Sequence, residues 1–600
     1  MKIKKDLIFI NLLLFLSIVL SIFLWRYIFL DFKDPEIVGI YSMNKYHSLN
    51  DFLRYAFFIL LPSITYLITK FIIDKNFFLN LKLFFSYTND QHKGINSQYS
   101  IIFFIIIIFF LIQNFFSVDF PIHKFDSYHE GQKLSSAFKS LKDGSLWSGS
   151  FVTVGIFYET ISTKILWKIF GTHTIGSIRY GELIYVFITK LLLIILTYNI
   201  SLFLRLNFYF RIFFFIFIGM LSNQLIDYNL TTVDLISYRD IPVIVLAILF
   251  ISTLRYNNNF IFLILISLIS PLSMIWGIDR GLVCNILIIT ILLNLLFHKD
   301  LKNFLFLIFS IIVSWIFLIL ILKNEFIFFL ENTYLIFKNM NYIHGLLHPV
   351  PFSFDQNSGR ATKTLVLILF CFLSSLSIIF SSKNTYSNNF KKLFLFLSII
   401  SVLSYIYALG RSDGSHIKHT FGFPLISFFI LITYNFLFWI EKKKIKGSNF
   451  TLLFIIFCLI IFNNAFNLNN LASYKSRLKN FVNQDDYFFL NKEEIRFVKF
   501  TRPILENYEC IQLFTNDAAF NYLLKKKSCT KFYFVWNSTP KDIQKKFIYE
   551  LSDTKVIIKG GSKSKWEIPI EKKLHLVNNH IDNYFNKAID ISEWSIYIRN

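Results

Sequence analysis

An aspartate, a histidine and a glutamate fall within five residues in the stretch Phe125-Asp126-Ser127-Tyr128-His129-Glu130-Gly131. These residue types move protons: a carboxylate can take the proton of an acceptor hydroxyl as that hydroxyl attacks an activated carbon. A structural reading stands beside it. Asp126 or Ser127 can cap the helix announced by Leu134, Ala137, Phe138 and Leu141, and a capping side chain is also rigidly placed. A second charged pair, Asp279-Arg280, sits in Trp276–Gly281 between two apolar runs. Charge at that depth is costly unless it faces protein or water, so the pair marks either a site or a mutual salt bridge. A third stretch, Gly410 to His419, holds Arg411, Asp413, His416, Lys418 and His419. The planar fork of arginine, with lysine and histidine donors beside it, suits phosphate oxygens; the alternative is a basic turn against anionic headgroups. His344 and His348 are candidates to line the same cavity. Asp227, Asp234, Arg239 and Asp240 form a looser cluster that reads as a helix boundary.

The elements that position these groups are mostly membrane spans. Of 600 residues 54% are hydrophobic and 75 are phenylalanine, which a soluble domain cannot bury. The net charge of +23 resembles a nucleic-acid signal. The lysines and arginines concentrate in short inter-span loops, however, so no nucleic-acid partner is expected. The apolar run after Met1-Lys2-Ile3-Lys4-Lys5 is too long for a cleaved signal and reads as a first span. Thirteen spans are expected, near 7–30, 52–73, 100–118, 176–200, 211–227, 241–255, 259–275, 282–298, 303–322, 364–381, 393–410, 421–440 and 450–467. The base-rich loops 74–99, 201–210, 256–258, 299–302, 382–392 and 441–449 then lie inside with the N-terminus. The charged clusters all face the other side, the periplasm of a bacterial inner membrane. Within the outer loop 119–175, two amphipathic segments, one through Leu141 and one from Tyr158 to Phe170, read as interfacial helices or as surface helices of a small outer domain.

After Leu468 strand and helix patterns alternate, which predicts a small α/β domain with a parallel sheet. Its elements are helices over 491–499, 518–526 and 540–551, with Thr539 as N-cap and Pro540 in the first turn, and strands over 511–514, 531–535 and 555–559. Cys510 and Cys529 each precede one of two neighbouring strands, which predicts a disulfide in an oxidising compartment. The chain thus divides into an N-terminal hairpin and cytoplasmic loop (1–99), a main transmembrane domain (100–467) and a periplasmic domain (468–600). There is no P-loop, no strand-linked GxGxxG in the membrane part, no HExxH and no CxxC, so the energy of any reaction must already reside in the substrate.

With Asp126 just after the span ending at Val118, the chain resembles the GT-C superfamily of membrane glycosyltransferases, which includes the protein O-mannosyltransferases and lipid A aminoarabinose transferases. Gly155-Ile156-Phe157-Tyr158-Glu159, leading into Leu166-Trp167-Lys168-Ile169-Phe170-Gly171, resembles the approach to that family's second interfacial helix. Arg411-Ser412-Asp413 with His416 resembles a late outer-loop motif of its bacterial members. The resemblance implies a polytopic helical GT-C-like fold and transfer of a sugar from a polyprenyl-phosphate donor to a periplasmic glycan, lipid or protein. Asp126 would be the base, with Glu130 the alternative and His129 beside them. Arg411, His416, Lys418 and Arg280 would hold the donor phosphate, with Asp279 and Asp413 in support. No cofactor is indicated; some relatives use a divalent metal, which Asp126, His129 and Glu130 would ligate. Three features depart from the family: two extra spans precede the acid, Asp-Ser-Tyr-His-Glu replaces a paired-acid motif, and the C-terminal domain is not shared by all members. An O-antigen-type polymerase or ligase, and a transporter or flippase, are the competing readings.

Overall fold

The computed structural model describes residues 2–31, 47, 49–85, 97–228, 230, 234–256, 258–343, 351–353, 358–381, 386–409, 414–444, 468–561 and 569–600. Twelve of the thirteen expected spans coincide with helices, from Lys2–Tyr27 to Gly414–Lys442. The thirteenth, 450–467, lies outside the described residues, as do Arg411, Asp413, His344 and His348. Among the described residues eight helices are long and apolar enough to cross a membrane, and Ile101–Ser117, Phe208–Gln224 and Phe260–Trp276 are shorter apolar ones. The chain is a polytopic α-helical membrane protein with a small sheet in its C-terminal region.

Burial separates the helices by their surroundings. Leu301–Leu322 is the most apolar and among the least buried, with only Leu307, Ser314 and Leu318 covered, as a helix facing lipid must be. Asn388–Ser404 is enclosed along nearly its whole length and packs against the helices Gly359–Ile379 and Gly414–Lys442. Phe77–Phe85 and Glu325–Ile343 are helices in stretches read from sequence as inter-span loops, the second opening the long loop after Lys323.

The segment 119–175 folds as a unit with the C-terminal region. Its helix His129–Asp143 is not laid on a membrane surface: Lys133 and Lys139 are as buried as Leu134 and Phe138. The Lys139 ammonium donates to the carbonyls of Ser528 (2.9 Å) and Thr530 (3.2 Å), and the Ser135 hydroxyl to that of Ala518 (2.5 Å). Gly131 lets the two chains touch, since a Cβ there would come within 2.4 Å of the Ala519 nitrogen. The second segment is helical, as its pattern suggests. A π-turn over Phe157–Ile161 leads into the helix Ser162–Phe170, which buries Leu166 and Trp167 and exposes Ile165 and Ile169.

The C-terminal sheet is mixed, not parallel. Its order is β2-β1-β3-β5-β4, with β1 (Cys510–Phe514) parallel to β2 (Lys527–Ser528) and to β3 (Val556–Gly560). The hairpin of β4 (Phe585–Ile591) and β5 (Trp594–Arg599) is antiparallel on the far edge. The aromatic run 531–535 is not a strand. Phe532, Tyr533, Phe534 and Val535 are all buried, because tertiary packing against the first loop takes them out of the sheet. Pro540, rather than Thr539, is the N-cap of the helix Lys541–Glu550. Cys510 opens β1 and Cys529 follows β2; they form a disulfide with Cα atoms 5.0 Å apart.

Candidate active site

One cavity of about 570 Å³ gathers residues from eight separated stretches of the chain. Asp126, His129 and Glu130 line it from the first loop, Arg239 and Asp279 from the starts of two helices, His416 from a third, and Phe534 and Asn537 from the C-terminal region. The helix Ile278–Phe297 begins at this cavity, and the short turn Tyr238–Asp240, which leads into the helix Ile241–Arg255, lines it as well.

Asp126 is both cap and candidate base. Its Oδ1 accepts the backbone N–H groups of Tyr128 (3.0 Å) and His129 (2.9 Å), and its Oδ2 lies 2.7 Å from His129 Nδ1. Burial pushes its carboxyl up, but the hydrogen bonds and charge of His129, with the two backbone donors, outweigh this and hold it at about 2. Glu130 has a different task. Arg179 grips it with two bonds of 2.8 Å and also donates to the carbonyls of Pro121 (3.0 Å) and His123 (2.9 Å). Burial raises the Glu130 carboxyl; bonds from His123 and Arg179 reverse the shift and leave it lowered. This pair anchors the loop and leaves Glu130 little freedom to act on a substrate.

Opposite them, Gly155 and Gly277 cross so closely that a Cβ on Gly155 would lie 2.5 Å from the Gly277 Cα, and Ile278 N–H donates to the Val154 carbonyl (2.7 Å). This crossing delivers Asp279 to the cavity. Arg280, expected to touch phosphate, is enclosed instead, at 2% exposure. Its Nε donates to Asp240 (2.9 Å), its Nη1 to Asp279, and its guanidinium lies 3.6 Å over the Tyr407 ring. From this cluster the cation that lines the cavity is Arg239, which donates to Asp279 (2.9 Å) and stacks 5.3 Å over Tyr158. The sequence reading of this cluster as a helix boundary is correct for Asp240, which forms a capping box with Ser237, and misses Arg239. The available signal was two adjacent charges, Arg239-Asp240, at the mouth of an apolar helix. Lys133, also missed, is buried against Glu182 and Tyr238 (2.9 Å).

On the remaining side, His416 lines the cavity and Lys418 does not; the charge of Lys418 acts on Asp234, whose carboxyl burial pushes up to about 7. The roof is supplied by the C-terminal region. The Tyr533 hydroxyl donates to Glu159 (2.5 Å), the Asn537 amide to Thr153 Oγ1 (2.7 Å), and Phe534 packs on Tyr128 at 4.8 Å. Of the three side chains that could ligate a metal, Glu130 is spent on Arg179. Among the described residues no group of three or more ligating side chains converges.

No family model matches the sequence, and no curated protein does. The structure is similar to ArnT from Cupriavidus metallidurans bound to undecaprenyl phosphate, at 10% identity and a TM-score of 0.42, over 84% of this chain and 98% of that one. It is likewise similar to the apo oligosaccharyltransferase of Archaeoglobus fulgidus, at 9% identity and a TM-score of 0.42, over 84% and 75%. Likeness at this level says nothing of substrate, and the functional reading rests on the cavity.

Proposed function

We propose that the protein is an inverting glycosyltransferase that moves a sugar from a polyprenyl-phosphate donor to a hydroxyl of a glycan, lipid or protein at the periplasmic face of a bacterial inner membrane. The observation that supports this is the meeting of Asp126 and His129 with Arg239, Asp279 and His416 in one cavity at the ends of apolar helices. The phosphate head of the donor sits against Arg239 and His416, with its lipid tail along the membrane helices. Arg239 is held by Asp279 in a fixed orientation, and Arg280 locks Asp279 in turn. The acceptor hydroxyl enters under Phe534 and Asn537 and attacks the anomeric carbon from the side of Asp126. The bond from that carbon to the phosphate oxygen breaks, the electron pair leaves on the phosphate, and the Asp126–His129 pair takes the hydroxyl proton. No step is routed through a metal.

The test is transfer of labelled sugar by the purified chain in detergent, which also separates this reading from a flippase, since a flippase needs a sealed membrane. Asp126→Asn is expected to lower transfer by about 10²–10⁴-fold. A polymerase or ligase acting from the 323–363 loop would instead lose activity on mutation of that loop and keep it in Asp126→Asn.

A further inference from the structure

Resting on that reading, we propose that His129 is the catalytic residue that accepts the proton and that Asp126 is its positioning residue. Asp126 has little capacity to spare. Two backbone N–H groups occupy Oδ1, and the His129 ring occupies Oδ2. An ionised carboxylate can only accept, so Nδ1 of His129 carries the shared hydrogen and Nε2 keeps its lone pair. The His129 side chain is 72% exposed and lines the cavity, and Nε2 bonds to none of the described residues. The Tyr128 ring, 4.6 Å from the imidazole and edge-on, limits its swing. A carboxyl held near 2 is also a weak base at neutral pH. A carboxylate that orients an imidazole, leaving its second nitrogen toward a hydroxyl, is a recurring solution to this problem.

The step balances as follows. The acceptor O–H bond breaks and its proton goes to Nε2; the new carbon–oxygen bond forms as the carbon–phosphate oxygen bond breaks. The imidazolium, stabilised by Asp126, then releases the proton to water. The charged and titratable groups lining the cavity with the ring are His123, Lys124, Asp126, Glu130 and Lys133 on its own segment, Arg179 and Glu182 from the helix Ile175–Ser201, and Asp234, Arg239, Asp279, His416 and His419 from the other elements, with Glu494 near Asp126 from the C-terminal region. Asp234 titrates at about 7, inside the window of interest, so the profile is read in Asp234→Asn as well.

The experiment measures sugar transfer by the detergent-purified full chain from pH 5 to 9. His129→Gln is expected to lower kcat by about 10²–10⁴-fold with little change in donor KM, to abolish the acid limb of the profile in both backgrounds, and to leave the melting curve unaltered. His129→Gly is expected to regain activity with added imidazole. If His129→Gln keeps nearly full activity and the acid limb while Asp126→Asn is dead, the carboxylate is itself the base; this inference falls and the glycosyltransferase reading stands. If both variants transfer sugar normally, both fall.

Discussion

The two charged clusters that face each other across the cavity are built in opposite ways. On one side Asp126 and His129 are half-exposed and exposed, held by hydrogen bonds but open to the cavity. On the other, Asp240 and Arg280 are 1% and 2% exposed and neutralise each other. The second cluster is scaffold that sets the position of Asp279 and, through it, Arg239. An ion pair buried this deeply contributes little net stability, but breaking it strands a charge. The more strongly a charged residue is pinned, the less it is available to a substrate, and the same rule separates Glu130 from Asp126 four residues away.

The sharpest way to break this contrast is to mutate one member of each cluster. Asp126→Asn is expected to cost about 10²–10⁴-fold in transfer while purified yield stays near wild type and melting at neutral pH falls only modestly. Arg280→Met is expected to do the reverse: a loss of about 3–5 kcal/mol in stability, seen as falling yield and Tm, because Asp240 is left buried and unpaired. Arg239→Gln sharpens the assignment of the reachable cation, with donor KM rising about tenfold to a hundredfold and stability little changed, the loss of a charge-assisted hydrogen bond or two. Equal effects of Arg239→Gln and Arg280→Met on KM would erase the distinction. The smallest effect is in acid. Asp126 is held below the ordinary carboxylate range, so its bonds stabilise the fold fully above about pH 4 and that contribution is lost as pH falls toward 2. An Asp126→Asn melt series should therefore converge on wild type only at the acid end.

The fold was legible wherever a single segment determines its own structure. Long apolar runs located the membrane helices, and the spacing of Asp126, His129 and Glu130 located one wall of the cavity. What escaped depends on partners far away in the chain. Arg280 and Arg239 look alike in sequence; only the approach of Asp240 and Tyr407 decides that one is enclosed and the other reaches the cavity. Lys531–Val535 has the aromatic and β-branched content of a strand, yet Tyr533 reaches Glu159 more than 370 residues earlier and the run is drawn away from the sheet. The parallel sheet was read from the alternation up to residue 559 and missed the closing hairpin, which turns the far edge antiparallel.

The most direct measurement gives purified wild type and Asp126→Asn the same polyprenyl-phosphate-linked, labelled sugar in detergent, and follows donor binding and sugar transfer separately. The account predicts that both bind the donor and that only wild type releases polyprenyl phosphate with the label on an acceptor. Undiminished transfer by Asp126→Asn, or failure of wild type to bind the lipid-linked sugar at all, would contradict it.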